Sequence, residues 1–251
     1  MLAAVVLTLY LAVLGSALPT DQELERRQRA SVITRCTVPN TAALTFDDGP
    51  FNYIYDINKV LKANNAVGTF FFNGRNYGCI YSADNAKRVK FAYDQGHQVA
   101  SHTWAHKDLT TLSRDQLTSE FARTDEAIKR ITGATPAFMR PPYGKYNNAV
   151  LDVAGARKQS VVIWDFDSGD SSGISVAAQK TRYTQLASRR PSTVLTLNHE
   201  TYASTAYDVL PHAIKQLRAK GYKFVTVAQC LGRAPYQNVG APAARTAAWT
   251  C

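Results

Sequence analysis

An apolar run from Ala42 to Phe46 stops on two adjacent carboxylates, Asp47 and Asp48, and a Gly49-Pro50 turn. No other segment limits the fold as much. A short apolar run ended by turn residues reads as a buried strand, and the carboxyl end of such a strand can open into the active-site mouth of an α/β barrel. Two like charges side by side repel each other and cost desolvation, so a metal or a base role is the natural compensation. For an isolated Asp-Asp-Gly the bland alternative is a solvated turn.

A second constellation moves the balance toward chemistry. His102-Thr103-Trp104-Ala105-His106 follows another strand-like run, Gln98 to Ser101, with its imidazoles four residues apart. On a helical turn that spacing stacks both rings on one face, where two nitrogens reach one ion, and Asp48 makes the third ligand. One carboxylate and two imidazoles leave coordination positions open, the pattern of a catalytic rather than a structural zinc site.

Three further segments end strand-like runs on polar residues. Arg140-Pro141-Pro142-Tyr143-Gly144 is a rigid turn that leaves the Tyr143 N–H free for a ligand. Trp164 to Asp170 closes the run Ser160 to Ile163 with the carboxylates Asp165, Asp167 and Asp170, and Leu195 to Glu200 brings His199 to the end of a strand starting at Thr193. A barrel of parallel strands gathers such ends at one face. Helical patterns at Tyr55 to Asn64, Ala83 to Gln95, Arg114 to Ile131, Val176 to Ser188 and Val209 to Lys220 alternate with the strands, with a capping box expected from Ser113 and Gln116. The expected fold is α/β, a single-domain (β/α) barrel with its core at about residues 40–230.

With these segments in order, the chain resembles the polysaccharide deacetylases of carbohydrate esterase family 4, the NodB-homology domain, and is most similar to the fungal chitin deacetylases. Thr69-Phe70-Phe71-Phe72-Asn73-Gly74 shares the likeness. The resemblance implies a distorted barrel of the NodB type and a hydrolase removing acetyl groups from N-acetylglucosamine polymers. It implies one Zn2+ or Co2+ held by Asp48, His102 and His106, with Asp47 as general base kept ionised by Arg140. Tyr143 would offer its N–H to the oxyanion, His199 would be the general acid oriented by Asp170, and Leu197 would line the acetyl pocket. Asn73, Trp104 and Tyr143, with Asp47, are the remaining expected substrate contacts, and Asn76, Tyr77 and Tyr81 also carry amides or flat faces suited to a pyranose. One departure stands out: Ser171 replaces the tryptophan that the family usually carries after the second aspartate of its fourth motif.

Rival chemistries fit less well. A two-carboxylate glycosidase built on Asp47 and Asp170 leaves His102 and His106 without work. An acetylxylan esterase or a peptidoglycan deacetylase keeps the machinery and changes the substrate, and a catalytically silent wall-binding protein would keep only the fold. Of the other histidines, His97 reads as structural and His212 as a surface residue.

The setting follows from the termini, cysteines and charge. Residues 1–17 read as a signal peptide, residues 18–27 as a pro-segment ending at Arg26-Arg27, and 28–251 as the deacetylase domain. The enzyme is expected to be secreted, extracellular or cell-wall associated, without a membrane anchor, and monomeric. Four cysteines in a secreted chain favour disulfides, and three connectivities are possible. The resemblance implies Cys36 with Cys230, which leaves Cys79 with Cys251. The net charge of +10 comes from scattered basic residues without a recognition motif, so a wall polymer, chitin or chitooligosaccharide, is expected as partner and nucleic acid is not.

Overall fold

The computed structural model describes residues 29–251. The expected signal peptide and pro-segment lie outside the described residues. Nine strands pair in the order Val32–Ile33, Ser160–Val162, Phe138–Met139, Gln98–Ser101, Thr69–Phe72, Thr45–Gly49, Thr193–His199, Thr41–Ala43 and Lys223–Val225, each pair parallel. The chain leaving Ser160–Val162 near one end then forms Phe166–Asp167, which pairs in parallel with Thr193–His199 near the other. The sheet therefore curls back on itself. This is the α/β architecture that the alternating pattern predicts, with a distorted barrel made from short strands.

Period-two geometry explains the two faces. Successive strand side chains point to opposite sides, so Phe70 and Phe72 pack with Ile54, Ile57 and Leu61 of the helix Ile54–Ala63. Phe71 turns the other way and meets Ala43, Ala100, Phe138, Val162 and Leu195, one side chain from each of five other strands. That second cluster also holds Cys36 and Cys230, which are disulfide-bonded. The bridge ties the segment after the first strand to the helix Val227–Cys230, and Cys79 is bonded to Cys251.

Four of the five expected helices fall within one residue of their sequence bounds, at Ile54–Ala63, Ala83–Asp94, Arg114–Thr132 and Val176–Arg189. Ser113 and Gln116 form the expected capping box, satisfying N–H groups that a helix start leaves unpaired. The fifth helix is shorter, Leu210–Arg218: a π-helical turn, Thr205–Val209, precedes it, and residues 219–221 form a turn after it. A helix at Asn148–Ala156, capped by Asn147, was not expected; Gly155 near its end weakens its sequence signal. His97 is a buried structural residue whose ring accepts from Gly68 N–H and pairs with Asn58, and burial holds its pKa down at about 4.

Candidate active site

The carboxyl ends of the parallel strands supply the site, as barrel geometry requires. Thr45–Gly49 delivers Asp47 and Asp48, Gln98–Ser101 leads into His102, Phe138–Met139 into Arg140, and Thr193–His199 ends on His199. His199 stands in direct register with Asp47 on the neighbouring strand. They face a cavity of about 410 Å³ whose apolar wall includes Pro141, Tyr143, Trp164 and Leu197.

Asp48, His102 and His106 offer ligand atoms within 4.8 Å of one another. His106 Nε2 lies 3.1 Å and His102 Nε2 3.6 Å from Asp48 Oδ1. The donor set suits a metal ion, because the His102 Nδ1–H donates to the Arg140 carbonyl at 2.7 Å and so leaves the Nε2 lone pair facing Asp48. Burial favours the neutral form of that imidazole, which is the ligating form. Burial disfavours the Asp48 carboxylate, but the His106 hydrogen bond and the neighbouring histidines hold its pKa below the usual value.

The two histidines do not share a helical turn. Thr103 and His106 adopt left-handed backbone conformations, φ 69° and 52°, and the segment is a loop. Glu120 draws that loop inward by accepting the Ala105 N–H at 2.7 Å. Asp48 and Tyr143, at φ 69° and 60°, are also left-handed, so conformations that cost energy cluster around the cavity.

Arg140 is fully buried, and its Nη1 donates to Asp47 Oδ1 at 2.8 Å and to Thr45 Oγ1 at 2.6 Å. The same guanidinium donates to the carbonyls of Val162 and Ile163. Such full satisfaction is what a buried ion pair needs to be tolerated. Opposite it, Asp170 Oδ1 sits 2.8 Å from His199 Nδ1, while Asp170 Oδ2 accepts the His199 N–H at 2.7 Å and the Thr205 hydroxyl at 2.8 Å. Burial disfavours the imidazolium, yet the Asp170 hydrogen bond and charge overcome it and push the His199 pKa up to about 9.

Two expected substrate contacts are corrected. Trp104 is only 4% exposed, packed against Gly74, where any side chain would collide with its ring, and beneath the Arg123 guanidinium. Asn73 is 1% exposed and its amide donates to the carbonyls of His102 and Thr103, so it braces the histidine loop. Tyr81 is buried as well. Leu197 and Tyr143 line the cavity, and so do Ser171 and Trp164, which sequence reading did not assign to the site. Thr45, Glu120 and Thr205 also escaped sequence reading, since each gains meaning only through a distant partner.

A parallel barrel with these carboxylates and imidazoles at its strand ends defines a class. Residues 34–170 match the polysaccharide deacetylase family, and the chain belongs to that family. It is 38% identical to a chitin deacetylase from a Pestalotiopsis species over 90% of this chain and 76% of that protein. The solved chitin deacetylase of Colletotrichum lindemuthianum superposes with a TM-score of 0.78 at 32% identity, covering 82% of this chain and 94% of the other. A peptidoglycan-N-acetylglucosamine deacetylase of Bacillus cereus is 33% identical over 74% of this chain and 66% of that protein.

Proposed function

We propose that this protein is a secreted, metal-dependent chitin deacetylase, a hydrolase that removes N-acetyl groups from the N-acetylglucosamine residues of chitin or chitooligosaccharides. The observation that carries the reading is the pairing of Asp47 with Arg140 on one side of the cavity and of His199 with Asp170 on the other. The Asp170 pairing favours a protonated acid at His199, and the Arg140 pairing fixes the Asp47 carboxylate in place beside it. Amide hydrolysis needs both.

Asp48, His102 and His106 would hold the ion, zinc or cobalt, which supplies Lewis-acid polarisation of the acetamide carbonyl and acidifies a water. Asp47 takes the proton of the attacking water. The Tyr143 N–H faces the developing oxyanion, and Leu197 with Trp164 contacts the acetyl methyl. His199 gives its proton to the departing nitrogen as the carbon–nitrogen bond breaks, so acetate and a free amine leave the site. The protein works as a monomer on a wall polymer and needs no nucleic acid.

A second reading, peptidoglycan deacetylation, draws on the Bacillus cereus relative and keeps every catalytic role. Acetate release from chitin oligomers, peptidoglycan and acetylxylan, assayed side by side with the zinc-loaded enzyme, separates the readings. Release from chitin oligomers above the other two is expected; preference for peptidoglycan or xylan overturns the chitin assignment, and release from none overturns the activity.

A further inference from the structure

Residues 241–251 follow the strand Tyr236–Val239 without forming a helix or strand of their own, and Trp249 is their one large apolar side chain. So little apolar surface does not order a segment by burial alone. The segment is nonetheless fixed at several points. The Ala243 N–H donates to the Arg130 carbonyl at 2.8 Å, the Arg245 guanidinium donates to the Tyr81 carbonyl, and Cys251 is disulfide-bonded to Cys79. Trp249 packs on the Tyr81 ring at 5.4 Å between centroids, with the Arg245 guanidinium 5.5 Å from the indole.

What the segment grips is the loop 73–81, and that loop is stitched to the one carrying the two histidines. The Gly74 N–H donates to the Thr103 carbonyl at 3.2 Å, the Arg75 N–H to the Trp104 carbonyl at 2.6 Å, and the Asn73 amide to the carbonyls of His102 and Thr103. Asn76 of the same loop donates to Asp48 Oδ1 at 3.3 Å. The Tyr81 ring under Trp249 also meets Trp104 at 6.3 Å, and Arg123 lies 3.9 Å over Trp104. A continuous ladder of rings therefore runs from Trp249 to the residue midway between His102 and His106, with a guanidinium at each end. The left-handed backbone of Thr103 and His106 persists only where its surroundings hold it.

We propose that Trp249 and the Cys79–Cys251 bond are positioning elements for the metal site: they clamp the loop 73–81, which in turn holds His102 and His106 where both imidazoles reach one ion. The inference rests on the metal centre of the deacetylase reading and deepens it. Trp249 and Cys251 do not line the cavity, so their loss acts on metal affinity and not on the reaction of the metal-loaded site.

The test measures zinc affinity by competition with a chelating dye for the wild type, Trp249→Ala, Trp249→Phe and the double variant Cys79→Ser with Cys251→Ser, which leaves no odd thiol. Thr250→Ala, at an exposed position between Trp249 and Cys251, is the control. Hydrogen exchange of the metal-free proteins reports on residues 102–106 without recourse to metal or activity. Trp249→Ala and the double variant are expected to bind zinc about tenfold more weakly, the lower end of the effect of losing support around a metal ligand, while Trp249→Phe and Thr250→Ala stay within about twofold of the wild type. Amides of 102–106 should exchange faster in the two weakened variants, and kcat for acetate release should return to the wild-type value at saturating zinc. Wild-type affinity and exchange in both, or a kcat that stays low at saturating zinc, overturns the clamp. Trp249→Ala, which keeps the disulfide, decides alone if the cysteine variant does not fold. If the wild type binds no zinc, the metal reading itself fails and exchange decides the clamp: faster exchange at 102–106 supports it, and unchanged exchange overturns it.

Discussion

Arg140 holds Asp47 through its side chain at 2.8 Å and fixes the His102 ring through its own carbonyl at 2.7 Å. One residue thus positions both the proposed base and a proposed metal ligand. Arg140→Ala leaves Asp47 buried without a counter-charge, an error of a kind that costs about 3–5 kcal/mol. Denaturant unfolding should show a loss of that size, and a loss under about 1 kcal/mol would mean the pair is not desolvated as the structure has it.

The proposed mechanism gives the two adjacent aspartates different work. Asp47→Asn should lower turnover by about 10² to 10⁴ and keep the metal, as expected for a general base. Asp48→Asn should weaken metal binding instead. Metal content and kcat measured on both variants check the division, and metal loss confined to the Asp47 variant reverses the roles.

His199 and Asp170 are expected to set the alkaline limb of the pH–rate profile. With a pKa raised to about 9, His199 stays protonated through neutral pH, and the rate should fall as pH rises through that value. The same shift makes its contribution to stability complete below the ordinary histidine pKa and lost as pH climbs through about 9. Asp170→Asn should move the limb to lower pH. His199→Ala should damage amide hydrolysis far more than that of aryl acetates, whose phenolate departs without a proton. Equal losses on both substrates would require another acid.

Glu200 gives a separate pH signature. It is fully buried, accepts the Phe51 N–H, and burial pushes its pKa up to about 8. Because the folded state then binds a proton that the unfolded state releases near pH 4.5, stability should decline as pH rises from there to about 8. Glu200→Gln should flatten that slope in melting temperatures measured across the range. An unchanged slope would assign the dependence to other groups.

Much of the site was legible because its chemistry sits where strands stop. Asp47, Asp48, His102, Arg140 and His199 all directly end or follow an apolar run, and Asp170 lies only a few residues beyond one. The helical reading of the histidine pair failed because spacing alone does not distinguish a helical turn from a loop with two left-handed residues, and both bring two rings together. Trp104 and Asn73 looked like sugar contacts because type and proximity in sequence say nothing about burial. Thr205 and Glu120 carry no signal of their own; their roles depend on partners 35 and 15 residues away.

The register that places His199 opposite Asp47 has a consequence for how such an enzyme can diverge. The interval between the proposed proton acceptor and donor is set by hydrogen bonding between adjacent strands, and a slip of one residue would turn the imidazole to the other face. Tyr143, Trp164 and Ser171 line the cavity from segments outside that pairing. Exchanges in those segments can therefore reshape the cavity while the register of the two strands is inherited unchanged.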